Sequence, residues 1–113
     1  MIHKEELDRY YTLSGKRKLL SRQFEEALPR FHTHAEASEY LKSLFGEDWV
    51  YLGSQEDEDD DQIVYCYTIV HDRPSWEEGR RKMKETGFAS GTDFIHSSQD
   101  VQIYENGRIW IVY

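Results

Sequence analysis

The sequence predicts a single α+β domain over residues 1–113, with N-terminal helices and one later helix packed on an antiparallel sheet of about four strands. Three observations support this fold class. Apolar residues recur at helical spacing in the first third, two capping boxes mark helix starts, and β-branched and aromatic segments follow. The resulting order, α-α-β-β-α-β-β, is typical of helices packed on an antiparallel sheet.

The first predicted helix covers roughly residues 4–28. Apolar side chains recur there at helical spacing, with a weak break at Ser14-Gly15. Pro29 should end this helix, because proline cannot continue the hydrogen-bond ladder.

Two later helices are marked by capping boxes. Thr33 with Glu36 should begin the second helix, and Gly46 should end it. A third helix should start near Ser75 in the same way and end at Gly87. Its apolar stripe is thin and consists mainly of Trp76 and Met83.

The predicted strands form two hairpins. Residues 49–52 and 63–71 make the first, joined by the acidic run 56–61 as a long, solvated loop. Asn106-Gly107 is a favoured two-residue turn, which would pair Tyr104 with Ile109 in the second.

Both faces of this sheet should be apolar, since alternate strand residues point to opposite sides. One face of the last hairpin would carry Tyr104, Ile109, Ile111 and Tyr113, and the other Val101, Ile103, Trp110 and Val112. Either the helices cover both faces, or the third helix covers too little and leaves a Tyr-rich face for a partner or a second copy of the chain.

Charge and cysteine content indicate which partners and which cellular compartment to expect. The net charge is −8, and residues 32–72 hold eleven acidic groups and one basic group. This field disfavours direct binding to nucleic acid or anionic lipid and suits a basic partner, although solubility alone also explains it. A single cysteine, no secretory signal and no membrane span predict a cytoplasmic protein.

No catalytic, cofactor or metal motif stands out. Asp57-x-Asp59-x-Asp61 resembles a calcium loop only at its start, because Gln62 and Thr68 occupy positions where that loop needs Gly and Glu. Cys66 lies within a strand and is expected to be a small buried residue rather than a nucleophile. We therefore expect no metal and no cofactor.

The leading hypothesis is a non-catalytic protein-interaction module, a regulator or inhibitor of another protein. Its partner-binding residues would lie on the Tyr-rich face and the acidic run: Tyr65, Tyr67, Tyr104, Ile111, Tyr113, Asp57, Asp59 and Asp61. The alternatives are a homo-oligomeric structural component, such as a homodimer, a nucleic-acid mimic, and an enzyme using acid–base chemistry. The acid–base groups of such an enzyme would come from His32, His34, His71, Asp72 and His96.

Overall fold

The described residues form a four-stranded antiparallel sheet, a small hairpin and helices, which confirms the α+β prediction. The computed structural model of the chain describes residues 2–14, 17–59, 61–87, 94 and 97–112. The N-terminal part comprises a 3₁₀ helix (Lys4–Tyr10), β1 (Tyr11–Ser14), β2 (Arg17–Leu20), α1 (Arg22–Ala27) and α2 (His34–Phe45). A 3₁₀ turn (Gly46–Asp48), β3 (Trp49–Asp57), β4 (Gln62–Val70), α3 (Arg73–Thr86), β5 (Ser98–Tyr104) and β6 (Ile109–Ile111) follow.

The predicted helix over residues 4–28 is wrong in its middle part. Residues 11–14 and 17–20 pair as an antiparallel hairpin, in which Tyr11 lies opposite Leu20. The reason is a long-range contact. The side chain of Gln99 accepts from Leu20 N at 2.9 Å and donates to Leu20 O at 3.3 Å, which fixes an extended backbone at this position. Tertiary hydrogen bonds thus override the local helical pattern.

The second helix begins and ends as its sequence predicts. The Thr33 hydroxyl accepts from the backbone N–H of Glu36 at 3.1 Å. Gly46 ends the helix with a φ of 58°, a conformation that favours glycine.

The third helix begins earlier than predicted. Asp72, not Ser75, is its N-cap: one carboxylate oxygen accepts from Ser75 N at 3.3 Å, and the other from the Ser75 hydroxyl at 2.9 Å. The predicted end is confirmed, because Gly87 adopts a φ of 86° and donates its N–H to Met83 O at 2.9 Å.

The acidic run is a tight hairpin end rather than a long loop. β3 extends to Asp57, which lies opposite Gln62. Asp57 Oδ1 accepts from Asp59 N at 3.0 Å and stabilises the turn. β3 and β4 continue past Val64, where the pairing of β4 with β5 ends, and the exposed residues at this end are Glu56, Glu58, Asp59 and Asp61. Asp60 lies outside the described residues.

The C-terminal hairpin has a different register from the predicted one. Ile103, not Tyr104, lies opposite Ile109. The turn spans three residues and ends in Gly107, whose φ is 88°. A side chain at Gly107 is excluded as well, because its Cβ would lie 2.6 Å from the carbonyl of Phe31.

This shift moves every β6 side chain to the opposite face from the predicted one. Ile109 and Ile111 join Val101 and Ile103 on the inner face, which packs against α2 and the N-terminal segments. The outer face, toward α3, carries the remaining side chains of these strands, Gln102, Tyr104, Trp110 and Val112 among them.

The core lies between the inner face and the N-terminal half of the chain. Its most buried members include Leu20, Phe24, Leu41, Ile69, Val101 and Ile103. In the described part of the chain, no helix has both the length and the apolar composition of a membrane span.

Candidate functional site

The outer face of the sheet and α3 border an open groove of about 1340 Å³, which we call the α3 groove. Its apolar surface is unusually exposed: Leu52 is 46%, Met83 48% and Val112 45% accessible. The groove is larger than the ~300–1,000 Å³ typical of sites for one small molecule.

The groove exists because α3 is held at two points and not by a continuous apolar stripe. Among the described residues of α3, Gly79 alone is buried, and a Cβ there would collide with the ring of Phe94. At the start of the helix, Arg73 pairs with Asp48 at 3.0 Å and donates to Glu47 O at 2.8 Å. These contacts fix the helix beside the sheet without closing the space between them.

The bulge in β3 contributes the far wall. The pairing of β3 with β4 shifts between Tyr51 and Gly53, which leaves Leu52 without a partner in the ladder. Bulges often redirect a side chain next to a functional site. Here Leu52 lines the groove, as Met83 of α3 does.

Ion pairs on α3 divide its basic residues into two groups. Arg73, Arg81 and Lys82 each pair with a carboxylate. Arg80 and Lys84, which line the groove one turn apart, form no ion pair with any residue that the structure describes. The Arg80 guanidinium lies 5.0 Å from the Trp76 ring centroid in a cation–π contact. The groove lining therefore carries two cations outside these ion pairs, together with the carboxylates of Asp100 and of Glu77, which pairs with Arg73.

The predicted Tyr-rich face is not one surface. Tyr65, Tyr67 and Ile111 lie on the inner face, whereas Tyr104 lies on the outer face, 4.8 Å from the Arg108 guanidinium. Tyr113 lies outside the described residues. Tyr67 and Ile111 are 7% and 3% exposed, so they serve the core. The prediction of a shared face was wrong for two reasons. The C-terminal turn is one residue longer than predicted, which separates Ile111 from Tyr104, and β4 pairs with β5 so that Tyr65 lies opposite Ile103.

Tyr67 belongs to a hydrogen-bonded cluster at the start of α2. Ser38 Oγ donates to Tyr67 Oη at 3.1 Å, and Tyr67 Oη lies 2.7 Å from His34 Nε2. The His34 ring also stacks on Tyr65 with 3.6 Å between centroids. The tautomer of His34 decides whether its Nε2 donates to Tyr67 Oη or accepts from it.

Burial explains the protonation behaviour of this cluster. It lowers the pKa of His34, and it raises the pKa of the Tyr67 hydroxyl. Both shifts favour the neutral forms, so the cluster is a structural link between α2 and β4.

The other predicted acid–base groups are separated by their contacts. His71 Nε2 lies 3.0 Å from Gln99 Oε1, and its ring meets Tyr11 edge-on. Asp72 caps α3. His32 is exposed at a small cavity of about 500 Å³ beside the C-terminal hairpin turn. His96 lies outside the described residues.

Neither cavity brings these groups together. Among the described residues, no histidine lines the α3 groove, and no group of three or more His, Cys, Asp or Glu could hold a metal ion. Cys66 is half-buried on the outer face, where burial first and then Asp100 raise the pKa of its thiol.

Asp57, Asp59 and Asp61 lie together at the end of the β3–β4 hairpin. Asp61 has a φ of 52°, and Asp59 and Asp61 are exposed. Their role in binding a basic partner stays a prediction.

The comparisons with known proteins return no relative. No family model, no curated protein and no solved structure matches the chain. Its function is therefore inferred from the geometry of the site.

Few residues of the groove could be found from local sequence patterns. Leu52 enters it through a bulge, and Val112 through a hairpin register, neither of which local patterns reveal. A signal did exist for Arg80 and Lys84: they are spaced i, i+4 beside the thin apolar stripe of Trp76 and Met83.

Proposed function

We propose that this chain is a non-catalytic interaction module that binds a segment of another protein in the α3 groove. The observation that carries the proposal is the exposure of Leu52, Met83 and Val112 around one groove of about 1340 Å³. Exposed apolar surface of this kind is typical of interaction sites.

The rest of the outer face supports the same role. Trp110 is 58% exposed and lies on the same side of β6 as Val112. Trp76 lines the groove itself. Tryptophan and arginine are the residue types that most often dominate binding energy at interfaces, and the groove provides Trp76 beside Arg80.

Site-specific photo-crosslinking in the native cell tests the proposal. A photoreactive amino acid at Met83 should trap a partner, whereas the same group at Lys42, which is exposed on α2, should not. Adding Val112→Asp should abolish the crosslink, because a carboxylate would have to be desolvated in the apolar groove. Val112 is sufficiently exposed that folding should be preserved.

A second variant separates the groove from the acidic hairpin. Neutralising Asp57, Asp59 and Asp61 to asparagine should leave the crosslink at Met83 in place. If this triple variant abolishes the crosslink and Val112→Asp does not, the interaction surface is the acidic hairpin and the proposal is wrong. Equal trapping at Met83 and Lys42 would also refute it.

A further inference from the structure

We infer that the segment bound in the α3 groove is an amphipathic helix with acidic residues along one side, an inference that rests on the proposed function. The starting point is the placement of Arg80 and Lys84. Neither forms an ion pair with a described residue, whereas the other cations of α3 are paired. The chain as a whole has a net charge of −8. A carboxylate-bearing ligand would supply the missing partners.

The spacing of the two cations matches a helix. Residues four apart on α3 are about 6 Å apart along its axis. A partner helix that runs alongside α3 and carries carboxylates at i and i+4 would place them at the same interval. Its adjacent apolar stripe would then contact Leu52, Met83 and Val112.

The walls of the groove favour a helical ligand over an extended peptide. The groove lies between a helix and the face of a sheet, so its walls present side chains and not a strand edge. An extended peptide there would bury N–H and C=O groups without partners, whereas a helix satisfies its own. Helix-in-groove binding uses apolar anchors at i, i+3, i+4 and i+7.

The net charge limits how these cations act. At physiological salt, interactions between exposed charges fade beyond about 8 Å. The overall charge of −8 therefore gives an acidic helix no long-range attraction. Arg80 and Lys84 act at contact distance, where they set which segment binds and in which orientation.

Peptide selection with a charge swap tests the inference. A phage library of random peptides is selected on the wild-type protein and counter-selected on the Met83→Asp variant. We expect enriched peptides with apolar residues at helical spacing and Asp or Glu on one flank. Arg80→Glu with Lys84→Glu should weaken their binding by about tenfold or more, because two attractive pairs become repulsive.

Two comparisons complete the test. The control Lys42→Glu with Lys82→Glu makes the same charge change away from the groove and should leave affinity within about twofold. Exchanging the acidic residues of a selected peptide for lysine should restore binding to the Arg80→Glu, Lys84→Glu protein.

The outcomes separate the inference from the proposed function. Groove-dependent peptides without acidic bias, or with affinity unchanged by the double reversal, overturn the inference and leave the proposed function standing. Failure to select any peptide sensitive to Met83→Asp overturns both. Binding of the protein to itself through the groove, measured by sedimentation and lost in Met83→Asp, would make the occupant a second copy and refute the inference.

Discussion

Replacing Gly79 by alanine should destabilise this protein, although the same change in an open helix would stabilise it. In an exposed helix interior, alanine is better than glycine by ~1 kcal/mol. At Gly79 the new Cβ would collide with the ring of Phe94. Overpacking of this kind costs about 1–3 kcal/mol. The net expectation is a loss of about 1 kcal/mol in the free energy of unfolding.

A double-mutant cycle gives the prediction its magnitude. Phe94 is half-buried, so Phe94→Ala alone should cost about 2 kcal/mol, below the range for a fully buried ring. With Phe94 removed, the Cβ of alanine at position 79 has space, and its helix propensity is recovered. The double variant should therefore lose about 1 kcal/mol rather than the sum of about 3, a coupling of about 2 kcal/mol.

Urea unfolding followed by tryptophan fluorescence measures all three variants, with an unchanged m-value as the check that two-state behaviour holds. A Gly79→Ala protein that is more stable than wild type by about 1 kcal/mol would refute the reasoning. Phe94 would then not pack on α3, and the groove would lack the contact that holds the helix beside the sheet.

Three further predictions concern the rest of the fold. Gln99→Leu should cost about 2 kcal/mol or more in urea unfolding, because the buried N–H and C=O of β2 lose their partners. Burial lowers the pKa of His34, so the unfolded chain binds more protons near pH 6, and stability should fall as pH drops below about 6.5. Asp72→Ala should cost about 1 kcal/mol through loss of the N-cap of α3, and Ser75→Ala clearly less.

Each of these has a control. If the Gln99→Leu variant loses amide hydrogen-exchange protection only at residues 11–20, the substitution opens this hairpin locally and does not lower the global stability. A His34→Gln variant that retains the full loss of stability between about pH 7.5 and 5.5 would assign that loss to other groups. A larger cost for Ser75→Ala than for Asp72→Ala would restore the capping box that the sequence predicts.

Sequence patterns correctly predicted the helix ends that depend on short-range capping contacts. Thr33 and Gly46 bound α2 as expected, and Gly87 ends α3, since capping depends on a few adjacent backbone groups. The fold class followed from the order of such elements.

Long-range contacts account for the errors. The hairpin at residues 11–20 depends on Gln99, and nothing in the sequence of this segment indicates that Gln99 will bond to Leu20. The C-terminal turn contains the favoured Asn106-Gly107 pair, yet it is one residue longer, and Gly107 packs against the Phe31 backbone. The one-residue difference decides which side chains share a face, and hence where the candidate site lies.

The hydrogen bonds between Gln99 and Leu20 also have a consequence for the order in which the chain can fold during synthesis. The two residues are separated by 79 positions. At a synthesis rate of ~5–20 residues per second, the N-terminal segment waits about 4–16 s for its hydrogen-bonding partner. Until then the N-terminal segment can contact α2, as Ile2 and Phe24 do in the folded protein, but not the side chain that holds Leu20 extended. The extended backbone at Leu20 therefore gains these two hydrogen bonds only after β5 has been made.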